Sequence, residues 1–306
     1  MLVRLAVCTL LLITPLVSAS PSLAGVKLTS STIADLLKRT DKYHKGDPYP
    51  FHVTKNVKTL LRLFSSNHYP NPLAFKVNGT LPKDIWTTDV VGRLNAYVNM
   101  AGGLQDTAEY FLGTVPTSPT NGFIVNSQVI RRLLEDKEKN TITATYETVF
   151  YNPSTHKEVH LTQNGWFHFN KHGLIDQYDN SFIGLGRWLL EMSPSWRTPN
   201  GKMFFINRAC ADHDQYCTGS NKQYATNADC VNFLSSIDFG LPDWLYESSA
   251  FCRYFHSLMT PYRPQVHCVH VGPTGGDRCI NTPYQAMFDY YDNYTPEFAM
   301  NVLYTK

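Results

Sequence analysis

The sequence predicts an α+β protein: helices first, packed on one face of a curved antiparallel sheet, then a small disulfide-rich, partly helical unit. Three observations carry this. Apolar residues recur at helical spacing up to Leu112 and mostly at period two from Gly122 to Ser181. Long strands that follow helices, rather than alternating with them, favour an antiparallel sheet. Of the seven cysteines, all but Cys8 fall in the last third.

The 306-residue chain opens with a leader pattern. Arg4 supplies positive charge, Leu5 to Val17 is apolar, and Val17-Ser18-Ala19 offers a small-residue cleavage site. Residues 1–19 therefore read as a signal peptide, and the mature chain as secreted or lumenal. No later stretch is long and apolar enough to span a bilayer. Asn78-Gly79-Thr80 and Asn293-Tyr294-Thr295 are glycosylation sequons consistent with that route. Cys210, Cys217, Cys230, Cys252, Cys268 and Cys279 are an even set in such a compartment and read as disulfides, with pairing left open. The net charge of +2 comes without a basic run, which argues against a nucleic-acid partner.

In chain order, Ser30-Ser31-Thr32 caps a short helix through Arg39, and Asn56 to Leu63 forms a second. Pro70, Pro72 and Pro82 mark residues 65–83 as loop. Thr87-Thr88-Asp89 caps a further helix with Val90, Val91, Leu94, Tyr97 and Val98 as its apolar stripe, stopped by Gly102-Gly103. Asp106 to Leu112 adds a helical turn or two. Gly122 to Val125 is a strand, and Ser127 to Glu135 is helical or transitional. Thr141 to Tyr151 is the clearest strand, with Ala144, Tyr146, Thr148 and Phe150 sharing a face. Asn152 to Thr155 turns the chain into a strand over Lys157 to Gln163.

The hairpin Asn164 to Ser181 follows. Phe167 and Phe169 share one face of its first strand, and Trp166 and His168 the other. Asn170 to Gly173 is the turn. In the second strand, alternation puts Ile175, Gln177 and Asp179 on one face, with Asp176 and Tyr178 opposite. A carboxylate on an apolar face needs a partner or a function. Asp179 is thus a candidate site residue; otherwise it caps the strand end or pairs with an arginine such as Arg187.

The element order, together with Gly165 to Asp179, resembles the SnoaL-like branch of the nuclear transport factor 2-like cone fold, shared by ketosteroid isomerase and scytalone dehydratase; the likeness covers residues 33 to 195. The tail segments Cys210 to Tyr224 and Arg263 to Gly276 are similar to a tail that secreted proteins of filamentous fungi join to a SnoaL-like domain. The resemblance implies a cone domain over 20–200 and a cysteine-rich domain over 201–306. It also implies an apolar pocket closed by the N-terminal helices, cofactor-free chemistry, and a role in fungal polyketide-type secondary metabolism. Asp179 would be the general acid or base and Tyr146 the donor to an oxyanion, with Phe150, Phe167, Phe169 and Ile175 lining the pocket.

Other clusters carry less. His256, His267 and His270, with Asp277 or His213, match zinc spacing only loosely, and neighbouring Cys268 reads as a disulfide partner; no metal is expected. The run Cys210-x-x-His213-Asp214-x-x-Cys217 approaches the catalytic helix of secreted phospholipases, but its second cysteine is a residue too far along. Gly272 to Gly276 lacks the strand-to-helix context of a phosphate cradle and reads as a turn. The preferred reading is an isomerase, cyclase or dehydratase acting on a small apolar metabolite. A non-catalytic binding protein and a secreted effector are the alternatives. The outer sheet face is the expected homodimer surface.

Overall fold

The computed structural model describes residues 25–39, 51–95, 98–117, 122–243, 245 and 247–281. The leader and the Asn293 sequon lie outside them. The elements are β1 (Val26–Thr29), α1 (Ser30–Lys38), α2 (Lys55–Asn67), α3 (Pro72–Asn78), β2 (Trp86–Asn95), β3 (Val98–Gly102), α4 (Leu104–Ala108), a π-helical turn (Glu109–Gly113), β4 (Ile124–Asp136), β5 (Thr141–Asn152), β6 (Lys157–Phe169), β7 (Ile175–Ile183), α5 (Leu185–Met192), α6 (Pro199–Tyr216), α7 (Asn227–Ser236), α8 (Ala250–Ser257) and α9 (Pro264–Val271).

The fold is α+β, built on a seven-stranded sheet in the order β1-β4-β5-β6-β7-β2-β3. It is antiparallel except between β2 and β7, which run parallel. The helix expected after Thr87 is therefore strand. Val90 and Leu94 stand four apart, so they share a face in either conformation. What decides is pairing on both sides, with β7 and with β3. The segment from Ser127 to Glu135 is likewise strand. Register shifts between Val125 and Ser127, and between Ile130 and Arg132, break the alternation that would have marked it. Residues 65–83 hold the end of α2 and all of α3, with Pro72 at the first turn, where its missing N–H costs nothing.

β5 and β6 behave as the alternation requires, and the turn between β6 and β7 places Gly173 at φ +75°, its N–H donating to Asn170 O at 2.8 Å. α1 and α2 cover the inner sheet face; Phe64 of α2 lies 4.8 Å, ring centre to ring centre, from Tyr146 of β5. The six tail cysteines pair as Cys210–Cys230, Cys217–Cys268 and Cys252–Cys279. One apolar cluster runs without interruption from Leu28 and Phe64 to Phe251 and Val271, so the sheet and the tail helices share a core. Among the described residues, no helix is long and apolar enough to cross a membrane.

Candidate functional site

The inner faces of β5, β6 and β7 carry a closed polar network in an apolar wall. Tyr146 on β5 stands directly opposite Gln163 on β6, and Asn180 on β7 directly opposite Gly165. The Tyr146 hydroxyl lies 3.0 Å from Asn180 Oδ1 and 3.1 Å from Gln163 Oε1, with one proton to donate between them. Asn180 Nδ2 donates to Gln163 Oε1 at 2.8 Å, and Gln163 Nε2 donates to Thr148 Oγ1 at 2.7 Å. The glycine at 165 makes this possible. A Cβ there would stand 3.0 Å from Asn180 Oδ1 and 2.5 Å from the Phe167 ring. Burial pushes the Tyr146 phenol up, against a smaller lowering by the Asn180 hydrogen bond. At neutral pH Tyr146 is an uncharged donor.

This network forms part of the wall of a cavity of about 80 Å³, lined on its apolar sides by Phe64, Phe111, Phe150, Phe182 and Trp188. Two further polar atoms of the lining residues, Asn67 Oδ1 and Trp188 Nε1, are buried without a hydrogen-bond partner. One is an acceptor and the other a donor, the complement a ligand with a hydroxyl and a carbonyl would satisfy. Among the described residues, no carboxylate, imidazole or ammonium lines this cavity. A second cavity of about 310 Å³ lies beyond Thr114, Val115 and Pro116, which line both. There Lys76 donates to Val115 O, and burial lowers its ammonium to about 8. Lys76 was missed from sequence because its segment reads as a proline-rich loop.

The structure places the expected site residues apart. Tyr146 and Phe150 line the cavity. Phe167, Phe169 and Ile175 are fully buried on the inner face but fill solid core rather than lining the cavity. Asp179 faces away. Phe169 pairs with Ile175 while His168 pairs with Gln177, so Asp176 is an extra residue in β7 and every inward position after it shifts by one. Tyr178 and Asn180 point inward in place of Gln177 and Asp179, and are fully buried. On the outer face Asp179 accepts two hydrogen bonds from Arg93, at 3.1 and 2.6 Å. Arg187, the partner proposed from sequence, pairs with Glu191 at 2.9 Å.

A second polar centre joins the tail to the sheet domain. Glu109, fully buried in the π-helical turn, accepts hydrogen bonds from Arg263 at 2.6 Å and His267 Nε2 at 2.8 Å. Burial raises this carboxyl, but the hydrogen bonds from His267, Arg263 and Gln105 outweigh it and hold the group below the usual range. His256 and His270 are held low chiefly by burial, His270 to about 4. His213 is elsewhere: its Nε2 accepts from Gln223 N at 3.0 Å, which takes up the nitrogen a phospholipase-like reading would need oriented by a carboxylate.

An α+β protein with an aromatic, polar-floored cavity beneath its N-terminal helices and a disulfide-linked helical tail is the class these features define. Residues 188–282 match the BfoA family C-terminal domain. Over 218 residues the chain is 31% identical to aurasperone B biosynthesis cluster protein A of Aspergillus niger, covering 67% of this chain and 70% of that protein. It is 30% identical, over 67% of this chain and 71% of the relative, to bifonsecin B biosynthesis cluster protein A of Aspergillus brasiliensis. The chain belongs to this BfoA family. Among solved structures, an M. tuberculosis LEH-like epoxide hydrolase overlaps 47% of this chain and 96% of its own, with TM-score 0.33 and 12% identity. A SnoaL-like family protein of Agrobacterium tumefaciens overlaps 42% of this chain and 98% of its own, with TM-score 0.30 and 11% identity.

Proposed function

We propose that this protein is a cofactor-free enzyme of secondary-metabolite biosynthesis that acts on a small apolar metabolite by an isomerase-, cyclase- or dehydratase-type step. Its relatives are named as proteins of the aurasperone B and bifonsecin B biosynthesis clusters. The observation that carries the reading is the uncharged Tyr146 hydroxyl, held by Asn180 and Gln163 against an aromatic cavity. A substrate carbonyl that displaces Asn180 Oδ1 as its acceptor receives a hydrogen bond that strengthens as enolate or phenolate charge develops. Asn67 Oδ1 and Trp188 Nε1 orient the same molecule. A cavity of about 80 Å³ takes one end of such a substrate, so the rest extends past Thr114–Pro116.

A binding protein without turnover is the second reading, favoured by the lack of a carboxylate, imidazole or amine in the cavity lining. Secretion, removal of residues 1–19 and glycosylation at Asn78 and Asn293 belong to the same proposal, as do division at residue 200 and pairing through the outer sheet face. Its support is the three disulfides, which suit an oxidising compartment, and the exposed position of Asn78 at the end of α3.

The test is metabolite profiling of the source organism with the gene deleted, then complemented with wild type or Tyr146→Phe. An intermediate should accumulate on deletion. If Tyr146→Phe folds and binds that intermediate but restores roughly 1% or less of its conversion, the protein is an enzyme using this hydroxyl. Full rescue by Tyr146→Phe removes the oxyanion role, and an unchanged profile on deletion removes the pathway.

A further inference from the structure

We propose that His256, His267 and His270 form a binding site for one divalent transition-metal ion, zinc foremost, coordinated by three imidazoles. This assignment is independent of the chemistry proposed for the Tyr146 cavity. It also departs from the sequence reading, in which these histidines were structural.

The three rings come from two helices. His267 and His270 stand three apart on α9 and so share a face; His256 approaches from α8. All three residues are almost completely buried, and one nitrogen from each lies within 4.8 Å of those of the other two. Two of the outward nitrogens are taken. His267 Nε2 meets Glu109 Oε2 at 2.8 Å, and His270 Nε2 meets Asp277 Oδ1 at 2.8 Å. Glu109 is ion-paired with Arg263 and can only accept, so in the neutral His267 imidazole the proton sits on Nε2 and Nδ1 carries the lone pair. Carboxylates that hold the far nitrogens of His267 and His270 in this way fix their tautomers and raise their basicity toward a metal.

The inner nitrogens converge: one has no partner and the other two share a single hydrogen bond. His267 Nδ1 is buried with no hydrogen-bond partner, which is unfavourable if nothing fills it. His256 Nδ1 and His270 Nδ1 are 3.3 Å apart. Two nitrogens on one tetrahedral zinc, each about 2.05 Å from it, are separated by about 3.3 Å. Cys252 and Cys279 also lie beside His256, but their sulfurs are joined to each other and are not thiolate donors. The donor set is therefore nitrogen alone, which suits zinc, copper or nickel and excludes calcium and magnesium. Three ligands leave a fourth position for water. The bound ion would join α8 to α9 next to Tyr110, which lines the Tyr146 cavity and whose ring stands edge-on to His256.

The experiment uses full-length protein produced through a secretory pathway without a polyhistidine tag, stripped with chelator and titrated with Co²⁺. One Co²⁺ per chain should bind with the intense visible bands of a tetrahedral site, and Zn²⁺ should displace it and raise the melting temperature. His256→Ala and His267→Ala should abolish binding, Glu109→Gln should weaken it roughly 10–100-fold, and His172→Gln, in the exposed hairpin turn, should not change it. X-ray absorption of zinc-loaded wild type needs no variant to fold; it should show nitrogen or oxygen neighbours with imidazole scattering and no sulfur. The proposal is overturned if wild type binds no ion, if folded histidine variants bind as wild type does, or if sulfur enters the shell.

Discussion

Arg93 and Asp179 stand side by side on parallel strands, and the arginine donates to both carboxylate oxygens on the outer face of the sheet. The pair is about one-fifth exposed on each side, so it joins β2 to β7 where solvent screens it in part. Asp179→Asn is expected to cost about 1 kcal/mol, the scale of a partly solvated ion pair, and to leave the proposed ligand binding and turnover in the Tyr146 cavity unchanged. Urea denaturation and an activity or binding assay check the two halves separately. A folded Asp179→Asn protein with no turnover would restore the carboxylate as catalyst.

The space beside Gly165 is what admits Asn180 to the Tyr146 network. Gly165→Ala forces Asn180 or the Phe167 ring to move. Because Phe167 is fully buried, overpacking there should cost about 1–3 kcal/mol. Denaturation measures that loss, while ligand binding should weaken more than in Asp179→Asn. Binding equal to wild type would show that Asn180 does not shape the site.

His68 gives the fold a pH dependence. Its ring is fully buried between Ser30, which lies 3.1 Å from Nδ1, and Gln128, which contacts Nε2. Burial lowers its pKa from 6.5 to about 4, with the Gln128 hydrogen bond opposing in part. Above 6.5 neither state is protonated and stability is whole. As pH falls from 6.5 towards 4, the unfolded chain takes up a proton that the folded chain refuses, so stability falls by up to about 3 kcal/mol, then levels. Denaturation of wild type and His68→Gln across that range should give profiles that converge at low pH; parallel profiles would remove His68 as the cause.

The three disulfides close loops of 20, 51 and 27 residues. Chain-entropy arguments rank Cys217–Cys268 first, at about 4 kcal/mol, and the other two at about 3–3.6 kcal/mol. Paired Cys→Ser variants compared by chemical denaturation should keep that order. Cys217–Cys268 also ties the end of α6 to α9, so its loss should loosen the Glu109–His267 contact.

Much of the sheet was legible in the sequence. Thr141 to Glu147 alternates cleanly, and Asn170 to Gly173 names its own turn, so β5, β6 and the inward direction of Tyr146, Phe167 and Phe169 follow from period and turn chemistry alone. β2 was not legible. Its Val90 and Leu94 satisfy the helical and the strand spacing equally, and only neighbours remote in sequence choose between them. β4 was hidden by its two register shifts.

Sequence by itself determined the α+β class and the set of six cysteines that pair, because both depend on local period and composition. Tertiary structure alone decided which cysteine meets which and that Asp176 bulges. It also turned Asp179 to the outer face and Asn180 to the inner one, and brought Glu109 to His267, more than a hundred residues away. The physical reason is common to all of these. A bulge and a buried ion pair are properties of two strands or helices in contact, and the free energy that selects them exists only once both partners are in place.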